Sequence, residues 1–307
     1  SILKPGLRML EEKINTSVLG VIPYFHLDIE DEDSLTERFR KKSRSGLAKI
    51  AVIRLPRISN FTDIAPLEAV DELDVSYVSN ISQFGDPDVV IIPGSKNTIS
   101  DLLWMRQNGL EGKILRHAAK GGIVFGICGG YQMLGQSISD PTGAEQKGTV
   151  RGMGLLPVTT VFEQEKRRTR VSGRFAKVGG ALAEMSGVCY EGYEIHMGRT
   201  VLSKGTVPLV YMEEEGEQRQ DGAQSDHVYG CYMHGIFDMS ETVKTFLAAV
   251  LRKKGIDPSK ITVRDRNAYK EEQYDRLASI VRENLNMEAV YKIIEKGNEA
   301  SCSLLSE

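Results

Sequence analysis

One cysteine lies where the sequence predicts a sharp turn from a strand into a helix. In GGIVFGICGGYQMLG (121–135) an apolar run leads to Cys128, and Gly129 and Gly130 follow before a helical pattern begins. This spacing is typical of a nucleophile elbow, which exposes its reactive side chain. The start of a helix favours a thiolate, and the N–H group of Gly129 could bind a developing oxyanion. A buried cysteine in an ordinary tight turn is the alternative interpretation.

A base for this thiolate is predicted at the end of another strand. His234 follows an apolar segment in DHVYGCYMHGIFD, and His196 in YEIHMG is the rival histidine. A second glycine turn, VVIIPGSKNT (89–98), could bring the N–H group of Gly94 to the same place. Ligands of α/β sheets bind in the crevice beyond the carboxyl ends of the strands, where all these groups would meet.

The elements that must position these residues begin at Ala48. Strands are predicted at 48–55, 74–79, 88–94 and 123–128, with helices near 64–70, 97–107 and 110–120. Short apolar runs separated by helical segments predict an α/β fold, a doubly wound, mostly parallel sheet flanked by helices. After Arg151 the pattern is richer in strands, and helices are expected again at about 240–254 and 271–284.

The two ends of the chain differ from this pattern. An amphipathic helix is predicted at 2–14 and a buried strand at SVLGVIP (17–23), followed by an acidic and then basic linker. One helix and one strand cannot form a core, so they are interpreted as the end of an upstream domain. The predicted division is an upstream remnant (1–27), a linker (28–46), the main domain (47–255) and a helical extension (256–307).

Composition excludes several functions. The 307 residues are 41% hydrophobic and 26% charged with a net charge of -3, which gives no reason to expect a nucleic-acid partner. No apolar stretch approaches the roughly 18 residues that would span a membrane. The four scattered cysteines and five histidines show no metal-ligand spacing, so no metal site is expected and reduced thiols in a cytoplasm are predicted. A phosphate-binding loop is also missing, which argues against an ATP site in this sequence.

Taken together, these segments resemble the class I glutamine amidotransferases, which have a flavodoxin-like α/β fold. More narrowly, the sequence is similar to the cobyric acid synthase family of cobalamin biosynthesis. The matching segments are GVIPY…EDSL (20–35), VIRLPRISNFTD (52–63), PGSKNT (93–98), GICGGYQMLG (126–135), EKRRTRVSG (165–173), YEIHMGRT (193–200) and DRLASIVRENLNME (275–288). The NFTD and PGSKNT parts distinguish this subgroup from other glutaminases.

The resemblance implies a role for each candidate residue. The thiolate of Cys128 would attack the carboxamide of glutamine while the N–H groups of Gly94 and Gly129 hold the oxyanion. His234 would protonate the departing ammonia and then activate water. Gln132 corresponds to the glutamine of the wider C-x-G-x-Q pattern and is expected to contact the substrate.

Two further residues are predicted on chemical grounds. Arg170 is the candidate for binding the α-carboxylate of glutamine, because a guanidinium does this bidentately. Many class I glutaminases carry His-Pro-Glu, whereas Gly235 and Ile236 follow His234 here. The resemblance therefore implies a Cys–His dyad, with Glu194 of YEIH as a possible orienting carboxylate.

The family also implies an upstream, ATP-dependent synthetase domain related to P-loop proteins. ATP and Mg²⁺ would bind there, so no cofactor is expected in this chain, whose own substrate would be glutamine. The acceptor of ammonia would be a corrinoid, adenosylcobyrinic acid a,c-diamide, amidated at four carboxylates. The alternatives are cobyrinic acid a,c-diamide synthase, the glutaminase of a cell-wall amidating complex, and an inactive regulatory module.

Overall fold

The computed structural model describes residues 3–25, 27, 46–214, 217–260 and 266–304. The described residues form two compact units. The smaller unit joins the two ends of the chain, Ser1–Asp31 and Asn267–Glu307, and the larger unit is Glu32–Arg266. The two ends were predicted as separate segments, and they belong to one unit.

The regular elements are numbered along the chain. The helices are α1 Leu3–Ile14, α2 Ala65–Glu68, α3 Thr98–Gln107, α4 Leu110–Ala119, α5 Gly129–Leu134, α6 Ser240–Lys253, α7 Arg266–Asn284 and α8 Met287–Leu304. The strands are β1 Ala48–Ile53, β2 Ile58–Ser59, β3 Leu73–Val78, β4 Val89–Ile92, β5 Gly94–Ser95, β6 Ile123–Ile127, β7 Ser137–Asp140, β8 Gly148–Arg151, β9 Val158–Phe175, β10 Cys189–Leu202, β11 Val210–Glu214, β12 Glu217–Asp221, β13 Ala223–Ser225 and β14 Val228–Cys231. Short 3-10 turns occur at Phe61–Ile64, Gly180–Met185 and Pro258–Lys260.

A six-stranded sheet forms the centre of the larger unit. Its strand order is β13-β14-β6-β4-β1-β3, and only the pair at the β13 edge is antiparallel. Every residue of β4 and β6 is buried. Strands this apolar require cover on both faces, which is the situation of a parallel sheet between helices. The predicted α/β fold is confirmed.

A second sheet follows the elbow region in the chain. Its order is β12-β11-β9-β7-β8, and β10 pairs antiparallel with β9 along a long ribbon. One isolated bridge joins this ribbon to the segment that follows β14, between Tyr193 and His234. The ribbon therefore reaches the carboxyl ends of the central strands, where the functional site is expected.

Local signals explain the elements around the site. Helix α3 begins directly after the PGSKN turn, and Asn97 caps it by accepting a hydrogen bond from the N–H group of Ser100. Gly109, with φ of 73°, separates α3 from α4. The strands and helices predicted from Ala48 onward are confirmed, although α7 begins earlier than expected, at Arg266.

The smaller unit corrects one prediction. Helix α1 is confirmed, but the predicted buried strand at 17–23 is wrong: the segment makes a single bridge, from Gly20 to Leu285, and Val21 and Ile22 are exposed. A side chain at Gly20 would overlap the backbone of Asn284, so this close approach accounts for the glycine. The predicted linker (28–46), apart from its last residue, lies outside the described residues.

In the part of the chain that the structure describes, no helix has the length and apolar character needed to cross a membrane.

Candidate active site

The predicted elbow at Cys128 is present. Strand β6 ends at Ile127, α5 starts at Gly129, and Cys128 between them has φ of 51° and ψ of -108°. Positive φ is uncommon for a residue with a side chain and is tolerated where the surroundings fix it. The N–H group of Cys128 donates to the carbonyl of Cys231 at 2.9 Å, and its own carbonyl accepts from Gln132 at 3.1 Å. Two strand ends and the first helical turn thus hold the thiol in place.

Glycines around the elbow are required by close packing. A Cβ atom at Gly130 would overlap the carbonyl of Ile92, and one at Gly126 would lie 2.7 Å from the backbone nitrogen of Tyr131. A Cβ atom at Gly129 would lie 3.0 Å from the backbone nitrogen of Ser95. Because Cβ atoms essentially never approach backbone within 3.0 Å, the β4–β6–α5 packing requires glycine at Gly126 and Gly130 and is tight at Gly129.

His234 is brought to Cys128 by the chain that leaves β14. Its backbone makes both hydrogen bonds of an antiparallel bridge with Tyr193, at 2.9 and 3.1 Å. The imidazole is 1% exposed, and the side chain of Cys128 lies close enough to raise its pKa. The predicted pairing of these two residues is therefore present, and the rival His196 instead has its ring stacked on Tyr232. The thiol of Cys128 also approaches the carbonyl oxygen of Ile195, at 3.7 Å.

The other ring nitrogen of His234 contacts a carboxylate that the sequence analysis did not identify. Nδ1 lies 2.7 Å from Oδ2 of Asp63, and Oδ1 of Asp63 accepts the N–H group of Gly235 at 2.8 Å. An ionised carboxylate only accepts, so Nδ1–H donates and Nε2 is left for Cys128. The Cys–His dyad implied by the resemblance is thus extended by a carboxylate, Asp63, in place of the suggested Glu194. The signal was the NFTD segment, which ends at Asp63 and which the sequence analysis quoted without assigning it a role.

The surroundings of His234 favour its protonated form. Burial of the ring lowers its pKa, but the hydrogen bond and charge of Asp63 and the contact with Cys128 outweigh this and raise the pKa of His234 to about 10. An imidazolium beside a cysteine is the arrangement that stabilises a thiolate. Nucleophilic attack by Cys128 stays a prediction.

Glu194 does not orient His234. Its buried carboxylate accepts from Arg219, forms an ion pair with Arg167 at 3.0 Å, and lies 3.6 Å from Nε2 of His196. Burial raises the pKa of Glu194, but the nearby ring of His196 and the hydrogen bond and charge of Arg219 outweigh this and lower it to about 2. The prediction of Glu194 as orienter is corrected, because Asp63 holds Nδ1 of His234.

The turn that carries Gly94 is fixed beside the imidazole. A Cβ atom at Gly94 would lie 3.1 Å from Cε1 of His234 and 2.8 Å from Oγ of Ser59. Oγ of Ser95 donates to the buried carboxylate of Asp101 at 2.7 Å, which anchors the turn to α3. Gly94 is therefore close to His234, and Gly129 follows Cys128 directly. Their role in holding an oxyanion stays a prediction.

Gln132 is buried beneath the elbow. Its carbonyl oxygen accepts from Oγ1 of Thr98 at 3.1 Å, and its Nε2 donates to the hydroxyl of Tyr232 at 3.1 Å. That hydroxyl also lies 2.6 Å from Oγ1 of Thr200. The amide thus connects α3, α5 and the second sheet, and a contact with the substrate stays a prediction.

Arg170 lies at the edge of the site. It is exposed on β9 and is paired in register with Tyr193 of β10, whose ring stacks on His234. Directly paired residues of antiparallel strands project from the same face, so the guanidinium is on the side of the ribbon that faces the imidazole. Binding of the α-carboxylate of glutamine by Arg170 stays a prediction.

A doubly wound α/β sheet with a cysteine at a strand–helix elbow is the arrangement expected of a class I glutamine amidotransferase. The structure of PurLQS from Thermotoga maritima has the same fold: it aligns with a TM-score of 0.50 and 17% identity, over 67% of this chain and 99% of that one. The CobB/CobQ-like glutamine amidotransferase domain matches residues 49–242, and the chain belongs to this family. It is therefore an enzyme that uses glutamine.

Two curated relatives align with almost the whole of this chain. Cobyric acid synthase of Ruminiclostridium cellulolyticum is 54% identical over 97% of the chain, and that of Lachnoclostridium phytofermentans is 44% identical over 96%. The aligned regions make up 59% and 60% of those proteins, so the chain spans about three fifths of the relatives it matches.

Proposed function

We propose that this chain is the glutaminase portion of a cobyric acid synthase and supplies ammonia for amidation of a corrinoid. The observation that carries the proposal is the series Cys128–His234–Asp63 at the elbow, in which Cys128 contacts the imidazole and Asp63 is hydrogen-bonded to its Nδ1. The similarity to cobyric acid synthases over nearly the whole chain supports the choice of acceptor.

The first half of the reaction forms a thioester. The thiolate of Cys128 attacks the carboxamide carbon of glutamine, and the electron pair of the C=O bond moves onto oxygen. In this proposal the N–H groups of Gly94 and Gly129 stabilise this oxyanion. When the oxyanion collapses, the C–N bond breaks and the His234 imidazolium gives its proton to the nitrogen, so ammonia leaves.

The second half regenerates the thiol. His234, now neutral at Nε2, takes a proton from water, and the hydroxide formed attacks the thioester carbon. The C–S bond then breaks, glutamate is released, and the thiolate is again paired with the imidazolium. Asp63 keeps Nδ1 protonated throughout, so the ring presents Nε2 to Cys128 in both halves. The side chains of Gln132 and Arg170 are proposed to contact the glutamine substrate.

The acceptor half of the reaction is assigned to an upstream synthetase domain. There ATP and Mg²⁺ would activate a carboxylate of adenosylcobyrinic acid a,c-diamide, which ammonia then attacks. The exposed apolar residues of α1 support packing of residues 1–27 against such a domain, since Leu3, Met9 and Ile14 are all more than half exposed. A biosynthetic enzyme that consumes ATP would act in the cytoplasm.

Hydrolysis of glutamine by the purified chain tests the proposal. We expect release of glutamate, and we expect Cys128→Ala to reduce the rate by at least about 10³-fold. A glutamine-like chloroketone should modify Cys128. The control is Cys189→Ala, which removes an exposed thiol on β10 and should leave both readouts unchanged. A chain that is folded yet neither hydrolyses glutamine nor is labelled at Cys128 would refute the glutaminase assignment.

The acceptor is tested separately in a longer protein that includes the synthetase domain. With ATP, Mg²⁺ and the corrinoid, glutamine should support amidation, and Cys128→Ala should restrict the enzyme to free ammonia. If the same protein amidates cobyrinic acid but not its a,c-diamide, the proposed acceptor is wrong while the glutaminase stands.

A further inference from the structure

We propose that Tyr193 is a positioning residue for His234, holding the imidazole by stacking on it while Asn60 fixes the phenol. The inference rests on the proposed glutaminase function and adds a residue to it. Tyr193 acts through His234 rather than on the substrate.

Three kinds of contact join Tyr193 to the histidine. The two rings stack with centroids 5.2 Å apart and an interplanar angle of 23°. The two backbones make reciprocal hydrogen bonds at 2.9 and 3.1 Å. A side chain on the preceding residue, Gly192, would overlap the carbonyl of His234, so the strand can approach this closely only with glycine there.

The phenol hydroxyl of Tyr193 is held by the turn that also carries Asp63. Nδ2 of Asn60 donates to the hydroxyl of Tyr193 at 2.8 Å. Asn60 has φ of 51°, a left-handed conformation that asparagine adopts more readily than most residues, and it starts the 3-10 turn Phe61–Ile64. One short turn therefore holds the imidazole twice, directly through Asp63 and indirectly through Tyr193.

The stacking suits the charge that the mechanism requires. A cation over an aromatic face is attracted by the ring quadrupole, and the attraction grows when water is excluded. The imidazole is almost fully buried, whereas Tyr193 is only half-buried. The groups that act on the charge of His234 are Asp63 from the turn and Cys128 from the elbow, and the phenol ring adds to them from β10.

A purely structural role for Tyr193 makes different predictions. A half-buried tyrosine used only for packing would change the free energy of unfolding when truncated, but it would leave the titration of His234 as it was. A positioning residue must change the titration and the turnover number, with a smaller effect on KM.

The experiment follows His234 by NMR titration and measures glutamine hydrolysis in four variants. Tyr193→Leu removes the ring and should lower both the pKa of His234 and kcat, the latter by about tenfold. Tyr193→Phe keeps the ring and should retain most of kcat. Asn60→Gly keeps the left-handed turn and should resemble Tyr193→Phe. Tyr211→Leu, on β11 of the same sheet, is the matched control and should leave the titration unchanged.

The double variant Asn60→Gly, Tyr193→Phe tests the hydrogen bond itself. Both single changes remove the same bond, so their effects on kcat should be less than additive. The proposal is overturned if folded Tyr193→Leu titrates like the parent chain, or if Tyr193→Phe is as impaired as Tyr193→Leu. Because the titration needs no substrate, its outcome is independent of whether the chain hydrolyses glutamine.

Discussion

Nδ1 of His234 lies 2.7 Å from Oδ2 of Asp63, a residue 171 positions earlier in the chain. The other oxygen of the same carboxylate accepts the N–H group of Gly235 at 2.8 Å. Asp63 therefore fixes both the ring and the backbone that carries it. The position that holds the glutamate of His-Pro-Glu in many class I glutaminases is Ile236 here, and a distant turn supplies the carboxylate.

Asp63→Asn should impair catalysis while keeping the side chain's shape. Loss of the negative charge removes the main interaction that raises the pKa of His234, so the ring should become neutral at lower pH. We expect kcat for glutamine hydrolysis to fall by about 10²-fold, within the range of acid–base catalysis. NMR titration of the imidazole measures the first effect and glutamate release the second.

Asp86→Asn is the control for this change, since Asp86 is exposed and precedes β4. In this variant His234 should titrate, and glutamine should be hydrolysed, as in the parent chain. If folded Asp63→Asn keeps full activity, Asp63 has no part in orienting the base.

The stability of the chain should depend on pH through His234. Its folded pKa of about 10 lies above the ordinary value of 6.5, so the folded chain binds this proton more tightly than the unfolded chain. The contribution of protonated His234 to the free energy of unfolding is complete below pH 6.5 and is lost as the pH rises through about 10. The difference in free energy of unfolding between the parent and His234→Gln should thus be larger at about pH 6 than at about pH 10, measured by urea denaturation. An equal difference at both values would contradict the raised pKa.

Glu194→Gln should affect stability rather than catalysis. The buried carboxylate pairs with Arg219 and Arg167, and replacing it leaves these cations without their partner. We expect a loss of roughly 2 kcal/mol, less than for a fully buried pair because both arginines reach solvent. Since the folded pKa of Glu194 is lowered to about 2, this stabilisation is present above pH 4.5 and is lost as the pH falls towards 2.

The catalytic readouts separate Glu194 from Asp63. Below the unfolding transition, Glu194→Gln should hydrolyse glutamine at nearly the parent rate, and His234 should titrate as before. A fall in kcat like that of Asp63→Asn would restore Glu194 as a participant in the site.

What the sequence could predict was local. The elbow at Cys128 is encoded within a few residues, by an apolar strand and the glycines that follow, so composition and spacing were enough. The parallel strands and their helices were likewise visible as short periodic segments. His234 could be placed at a strand end by the same reasoning.

What the sequence could not predict depended on distant pairing. Asp63 contacts His234 because a turn packs against the end of β14. The hydrophobic periodicity of the sequence does not indicate such a contact. Glu194 is two residues from His196 and looked like part of the site, but the register of β9, β10 and β12 surrounds it with arginines. The apolar run at 17–23 was expected to be a strand, yet its β-pairing is the isolated bridge between Gly20 and Leu285.

Gly94→Ala should reduce activity without unfolding the chain. Gly94 lies outside the positive φ region, so alanine is compatible with its backbone. The new methyl group would lie 3.1 Å from Cε1 of His234 and 2.8 Å from Oγ of Ser59, so the turn or the imidazole must move by a few tenths of an ångström. Because acid–base transfer and oxyanion binding both depend on that geometry, we expect kcat to fall by about tenfold or more.

The matched control for this prediction is Gly112→Ala in α4, where nothing lies within 4 Å of the new methyl group. It should stabilise the chain by up to about 1 kcal/mol and leave glutamine hydrolysis unchanged. Circular dichroism and thermal melting of both variants would show whether Gly94→Ala remains folded. If it is folded and fully active, the turn at Gly94 lies farther from the reacting atoms than the structure places it, and its N–H group could not hold the oxyanion.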